Sequence, residues 1–263
     1  MQLFWEICKR SFQRHLTYRA ATLAGLVTNF FFGLMRVAIM LALYGGRQEV
    51  NGMTVADVIT YTGLTQAIIA YMSMFGWYEL MNSVYSGEVA ADLLKPMNYF
   101  LFWMAQDLGR ALLNFLLRGV TIMFFYALVF DLSYPTSLSH WLVVALVLIL
   151  SWVVGFAYRF LVNLSAFWTT NADGIGRFAF VFAWFASGFL MPMRLLPDWV
   201  GRLCYLTPFP YMLDSIVEVY LGTLSNREVV LMIANQLVWA IGLIVVGQIA
   251  LRAAVRRLVI LGG

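Results

Sequence analysis

Six apolar runs, the fifth of them short at about 17 residues, leave this chain few ways to fold. A helix needs about 20 apolar residues to span the hydrocarbon layer, and irregular backbone at that depth survives only under a cover of protein or water. The runs cover residues 20–44, 56–81, 108–130, 138–161, 175–191 and 229–251, with polar turns between them. Composition excludes a soluble alternative. The chain is 62% hydrophobic and 11% charged, with mean hydropathy +0.82, whereas a soluble domain is about 25% charged. The expected fold is all-α, an integral membrane protein whose six transmembrane helices form one domain over residues 1–263.

The segments outside the runs are informative. Residues 1–19 place Phe4, Cys8, Phe12 and Leu16 at every fourth position, with Lys9, Arg10 and Arg14 elsewhere. This predicts an amphipathic helix on the membrane surface. It does not read as a signal peptide, because charges interrupt the apolar stretch and no small-residue cleavage site follows. Residues 86–98 form a charged island. Ser86 suits an N-cap, Glu88 suits a first helical turn, and Pro96 should stop the helix at Lys95. Val89, Leu93 and Met97 share one stripe, with Glu88, Asp92 and Lys95 on another. Residues 192–228 are apolar enough to enter a membrane, but Pro208, Pro210, Asp214 and Glu218 argue against a full crossing. They predict a pair of re-entrant or interfacial helices with Pro210 near a helix start. Asp214 and Glu218, one turn apart, should meet water or a polar partner.

Basic residues orient the chain. Lys9, Arg10, Arg14, Arg19, Lys95, Arg110, Arg159, Arg177, Arg252, Arg256 and Arg257 fall on one face, and Arg47, Arg194, Arg202 and Arg227 on the other. The positive-inside bias puts both termini and the 86–98 island in the cytoplasm and residues 192–228 outside.

Catalytic chemistry is scarce. A phosphate-binding loop needs a Gly-Lys pair, and the two lysines follow Cys8 and Leu94. His15 and His140 fall on opposite sides of the membrane, as do Cys8 and Cys204, so no metal or redox site is expected. Asp173-Gly-Ile-Gly-Arg177 reads as a polar turn. Arg36 is the one charge expected well inside a span, where it either snorkels to the outer interface or faces a substrate path. An ion-coupled carrier would usually show several buried acids, and the spans offer little beyond Glu79.

Ser86-Gly-Glu-Val-Ala-Ala-Asp-Leu-Leu-Lys-Pro96 followed by Asp107-Leu-Gly109 resembles a pattern in ABC-2 type permeases, as do Ser187-Gly-Phe-Leu-Met-Pro192, Leu196-Pro197-Asp-Trp199, Thr207-Pro-Phe-Pro210 and Tyr220-Leu-Gly222. The likeness is to small permeases without a fused ATPase and covers nearly the whole chain. It implies a non-catalytic transmembrane subunit of an ATP-driven exporter. Gly87, Glu88, Asp92, Leu93, Leu94 and Pro96 would form a cytoplasmic coupling helix against the ATPase. Pro192, Pro197, Pro208, Phe209 and Pro210 would shape an external gate. The resemblance further implies two ATPase subunits carrying ATP and Mg, a second permease that is identical or homologous, and a bacterial inner-membrane location. This chain itself would bind no cofactor. The alternatives are an ion-coupled secondary transporter or channel, and a non-transport membrane enzyme or assembly factor.

Overall fold

The structure, a computed structural model, describes residues 1–257, the side chains of Arg19 and Ala21 excepted. The chain begins with α1 (Gln2–Leu16) and α2 (Arg19–Tyr44), then a two-residue hairpin of β1 (Glu49–Val50) and β2 (Met53–Thr54). Next come α3 (Val55–Met72), two short helices α4 (Glu79–Tyr85) and α5 (Val89–Leu93), and α6 (Tyr99–Asn114). A π-helical stretch, Phe115–Val120, joins α6 to α7 (Thr121–Val129). The remaining helices are α8 (Leu138–Leu164), α9 (Ala172–Ala186), α10 (Asp198–Tyr205), α11 (Asp214–Leu221) and α12 (Asn226–Val255).

Among the described residues, four helical stretches are long and apolar enough to cross a membrane: Thr22–Tyr44, Tyr99–Val129, Leu138–Phe167 and Asn226–Val255. Two of the six predicted runs fold differently. The second was expected to run to Met81, but α3 ends at Met72 with Ser73 in the left-handed region (φ 50°). The apolar character continues through Met74 and Trp77, both buried, which is why the sequence disguises the break. The fifth yields α9, only 15 residues long, which ends at Ala186 ahead of Gly188 (φ 82°). The third begins nine residues earlier than expected, because the Asn98 carboxamide accepts from the backbone N–H groups of Phe100 (3.0 Å) and Leu101 (3.3 Å) and starts α6 at Tyr99.

Side-chain caps also fix the starts of α3 and α12. Thr54 and Asp57 form a capping box for α3, and Ser225 and Glu228 one for α12. Asp57 also accepts a 2.6 Å hydrogen bond from Ser133 Oγ, which pins the α7–α8 turn to the head of α3. The core gathers around α3, α6, α8, α11 and α12, with Tyr61, Phe156, Phe160, Leu213 and Val217 fully buried.

The first segment forms a helix, α1, and it docks on protein along α6. Cys8 and Ser11 are buried there, and Ser11 Oγ donates to Gln106 O at 2.7 Å. The close approach depends on Gly109, where a Cβ would collide with Cys8 O and lie 2.8 Å from Phe12 N. Gly109→Val should therefore lift α1 from α6. In a Cys204→Ser background, Cys8 should then react with a thiol reagent about tenfold faster in mild detergent, equal to about 1.4 kcal/mol of opening. An unchanged rate would mean that Gly109 does not set this contact.

Candidate functional site

The break after α3 places the predicted coupling segment on a short charged spur. Residues 73–78 turn the chain into α4. Gly87 (φ 79°) then redirects it into α5, a backbone angle that L side chains rarely adopt. The expected N-cap does not form. Ser86 instead follows the last residue of α4, and Glu88 precedes the first residue of α5, which is only five residues long. Helix ends at Leu93, as Pro96 requires.

The two stripes divide as the spacing predicts on the apolar side only. Val89 is buried, and Leu93 and Met97 pack against the core. On the polar side Glu88 and Lys95 are exposed, whereas Asp92 turns inward. Asp92 accepts from Ser83 Oγ at 2.8 Å and from Lys95 Nζ at 2.6 Å, and Lys95 Nζ sits 3.8 Å from the centre of the Phe102 ring. What the segment presents to a partner is thus Gly87, Glu88, Lys95, Pro96 and above all Leu94, which is 86% exposed.

An open cleft of about 780 Å³ lies between this spur, α1 and α6, lined among others by Arg14, His15, Glu79, Glu88, Lys95 and Gln106. Glu79 ties α4 to α1 through Arg14 (3.0 Å) and His15 (3.7 Å). Burial alone would raise its carboxyl pKa, but the hydrogen bond from His15 and the charge of Arg14 outweigh that and hold it below the ordinary value.

Beneath the cleft is a buried ionic cluster that the sequence reading missed. Arg36 was expected to be the one charge well inside a span, yet Arg118 also lies within the run 108–130, and Asp107, Arg110 and Arg159 are buried. Asp107 Oδ1 accepts from Arg110 Nη2 at 2.7 Å. Its Oδ2 accepts from Arg159 Nη2 at 2.7 Å and Trp152 Nε1 at 2.8 Å. Arg110 and Arg159 are therefore not surface charges and carry no topological information. The spacing of Asp107 and Arg110, three residues apart on one helix, was the available signal. The other basic residues assigned to that face are exposed, apart from Arg19, whose side chain lies outside the described residues.

Arg36 is held by protein groups. It is 9% exposed, donates to Thr65 Oγ1 at 3.1 Å and to Phe189 O, and lies 4.8 Å from the centre of the Phe189 ring.

At the opposite end of the bundle Pro192, Pro208, Phe209 and Pro210 are buried and Pro197 is exposed at the head of α10. Pro210 opens a 3₁₀ turn, Pro210–Met212, as its fixed φ favours. Phe209 meets Tyr158 of α8 (5.2 Å between ring centres) and Phe182 of α9 (5.4 Å). Tyr211 O accepts from Ser151 Oγ (2.8 Å) and Gln236 Nε2 (3.0 Å). Ser151 lies 13 residues into α8, so the segment reaches about 20 Å along that helix. Both acids have polar partners, as expected. Asp214 accepts from the hydroxyls of Tyr61 (2.8 Å) and Tyr205 (2.6 Å), and Glu218 pairs with Arg194 (2.7 Å).

Because the Glu79 pKa is depressed in the folded state, its contribution to holding α1 is present above the ordinary glutamate range, about 4.3, and fades as pH falls through the lower folded value. Release of α1, read from labelling of Cys8 by a pyridyl disulfide and normalised to the unfolded chain at the same pH, should therefore increase on acidification below about pH 4. Glu79→Gln should flatten that dependence, and an identical pH profile in the variant would remove Glu79 as its source.

A family model described as ABC-2 family transporter protein matches residues 30–262. The curated proteins contain no match.

Proposed function

The chain belongs to the ABC-2 transporter family and is a multi-pass membrane permease of that class, and we propose that it is the transmembrane half of an exporter driven by ATP hydrolysis on a separate subunit. The observation that carries the proposal is the spur at the end of α3. An exposed Glu88 and Leu94 project from a short helix anchored by buried Val89, beside a charged cleft. That arrangement supports a coupling element that fits a partner's groove. ATP and Mg belong to the partner, with two ATPase subunits serving this permease and a second one, identical or homologous. The exposed aromatic face of α9, Phe178, Phe182 and Phe185, is available to that second permease or to lipid.

In this reading α3 and α9 complete six crossings, and the Pro192–Glu228 segment is re-entrant from outside. Its depth along α8 and its cover of protein support that placement. The exposed basic residues Lys9, Arg10, Arg14, Lys95, Arg177, Arg252, Arg256 and Arg257 support cytoplasmic termini in a bacterial inner membrane. Cysteines introduced at Asn51 and Ser225 should react with an impermeant reagent on intact cells, and those at Asn98 and Thr170 should not. The reverse pattern would invert the topology and discard the coupling assignment.

The decisive experiment expresses the permease with its ATPase and measures copurification. A leucine buried at an interface is worth about 1.5–3 kcal/mol, so Leu94→Asp should cut ATPase retention by about tenfold or more at unchanged permease yield. Leu93→Asp should instead lower the yield, because Leu93 packs into the permease itself. Wild-type retention in well-inserted Leu94→Asp protein would sink the coupling role.

A further inference from the structure

The polar atoms of the link between α3 and α4 are held by side chains from three other helices. Arg110 of α6 donates to Ala70 O (2.9 Å) and Tyr71 O (3.1 Å). Arg159 of α8 donates to Met72 O, and Trp184 of α9 donates to Met74 O. Asn163 of α8 donates to Trp77 O (2.7 Å) and accepts from Met81 N (3.1 Å). Asp107 joins the two guanidiniums, and its side chain is fully buried.

These bonds do more than neutralise a charge. The pair Asp107–Arg110 is complete within α6. Arg159 comes from another helix and spends its second amino group on the last carbonyl of α3. A helix ends with carbonyls that lack intrahelical partners and with negative dipole character, so two cations there are well placed. Away from water, such bonds cannot be given up singly without leaving a buried polar group unsatisfied. A push on α4 and α5 along the backbone must therefore either carry α3, α6 and α8 together or break the whole set.

We propose that Asp107, Arg110 and Arg159 are positioning residues for transport: they lock the end of α3 to α6 and α8, so that ATPase-driven movement of the α4–α5 spur is transmitted to the spans. The inference rests on the exporter reading and names the residues that make its coupling work.

The test uses the complete permease–ATPase complex in vesicles. A reporter cysteine replaces exposed Trp199 of α10 in a Cys8→Ser, Cys204→Ser background, and an impermeant maleimide measures its labelling rate with and without ATP. Coupling between distant sites is typically five- to 150-fold, so the wild-type rate should change at least about fivefold on ATP addition. In Asp107→Asn the complex should assemble and hydrolyse ATP within about twofold of wild type, while most of the reporter change disappears. Arg159→Lys, whose single ammonium cannot serve Asp107 and Met72 O with the fork of a guanidinium, should lose part of it. A full reporter response in both variants overturns the proposal. So does failure of both variants to insert, which would make the cluster a folding element only. If the wild-type complex hydrolyses ATP with no reporter change at all, the exporter reading falls and takes this inference with it.

Discussion

A backbone carbonyl that loses its helical partner inside an apolar bundle has to find another donor, because no water is there to supply one. This requirement accounts for the placement of much of the buried polar chemistry in the protein. The chain interrupts its helices at three interior places. After α3 the carbonyls of residues 70, 71, 72, 74 and 77 are taken by Arg110, Arg159, Trp184 and Asn163. After α9 those of Gly188 and Phe189 go to Tyr61 and Arg36, and Met193 N finds Asp214. Before α11 the carbonyl of Tyr211 goes to Ser151 and Gln236. Each break is matched by side chains from other helices, so the breaks and the buried polar residues form one design.

Magnitudes separate the fixed parts from the adjustable ones. Removing one partner of a buried ion pair typically costs about 3–5 kcal/mol, whereas an exposed pair contributes about 0–1 kcal/mol. Asp107 with its two arginines belongs to the first class, and Arg14 with Glu79, exposed by 50% and 35%, to the second. The contact of α1 with α4 can therefore shift at little cost while the end of α3 stays clamped. A spur with a loose outer tie and a rigid inner root suits a lever.

Much of the architecture was legible in the sequence, since length and composition alone mark long apolar helices. The caps at Thr54–Asp57 and Ser225–Glu228 left a signal too, reciprocal side-chain patterns three residues apart, which the expected span starts at 56 and 229 did not use. The break at Ser73 was not legible, because apolar residues continue through Met74, Phe75 and Trp77, and nothing local says that they leave the helix. Arg110 and Arg159 were misread as topology markers for a related reason. A charge near the end of a span looks the same whether it faces lipid headgroups or a carboxylate on a neighbouring helix, and only packing places Asp107 between them. In the coupling segment the periodicity placed Val89, Leu93 and Met97 correctly. It could not anticipate that Lys95 would fold back over Phe102, leaving Leu94 as the exposed apolar residue.

The two ends of the bundle are closed by different chemistry, and this bears on how a transport cycle would divide its work. At the root of the spur the bonds are charge-assisted, with a carboxylate shared by two guanidiniums. At the other end Asp214 is also a carboxylate acceptor and Glu218 pairs with Arg194, but the Tyr211 carbonyl is held by neutral groups alone, a hydroxyl and a carboxamide. Hydrogen bonds between neutral groups contribute about 0.5–1.5 kcal/mol each, and those to charged groups about 1.5–3. Hydroxyls also rotate and exchange partners more readily than a guanidinium fork does. Under the proposed exporter cycle, a push at the spur would pass through the ionic root intact and be spent where the ties are weaker. Those ties lie between the turn before α11 and the helices α8 and α12, on the side from which substrate would leave.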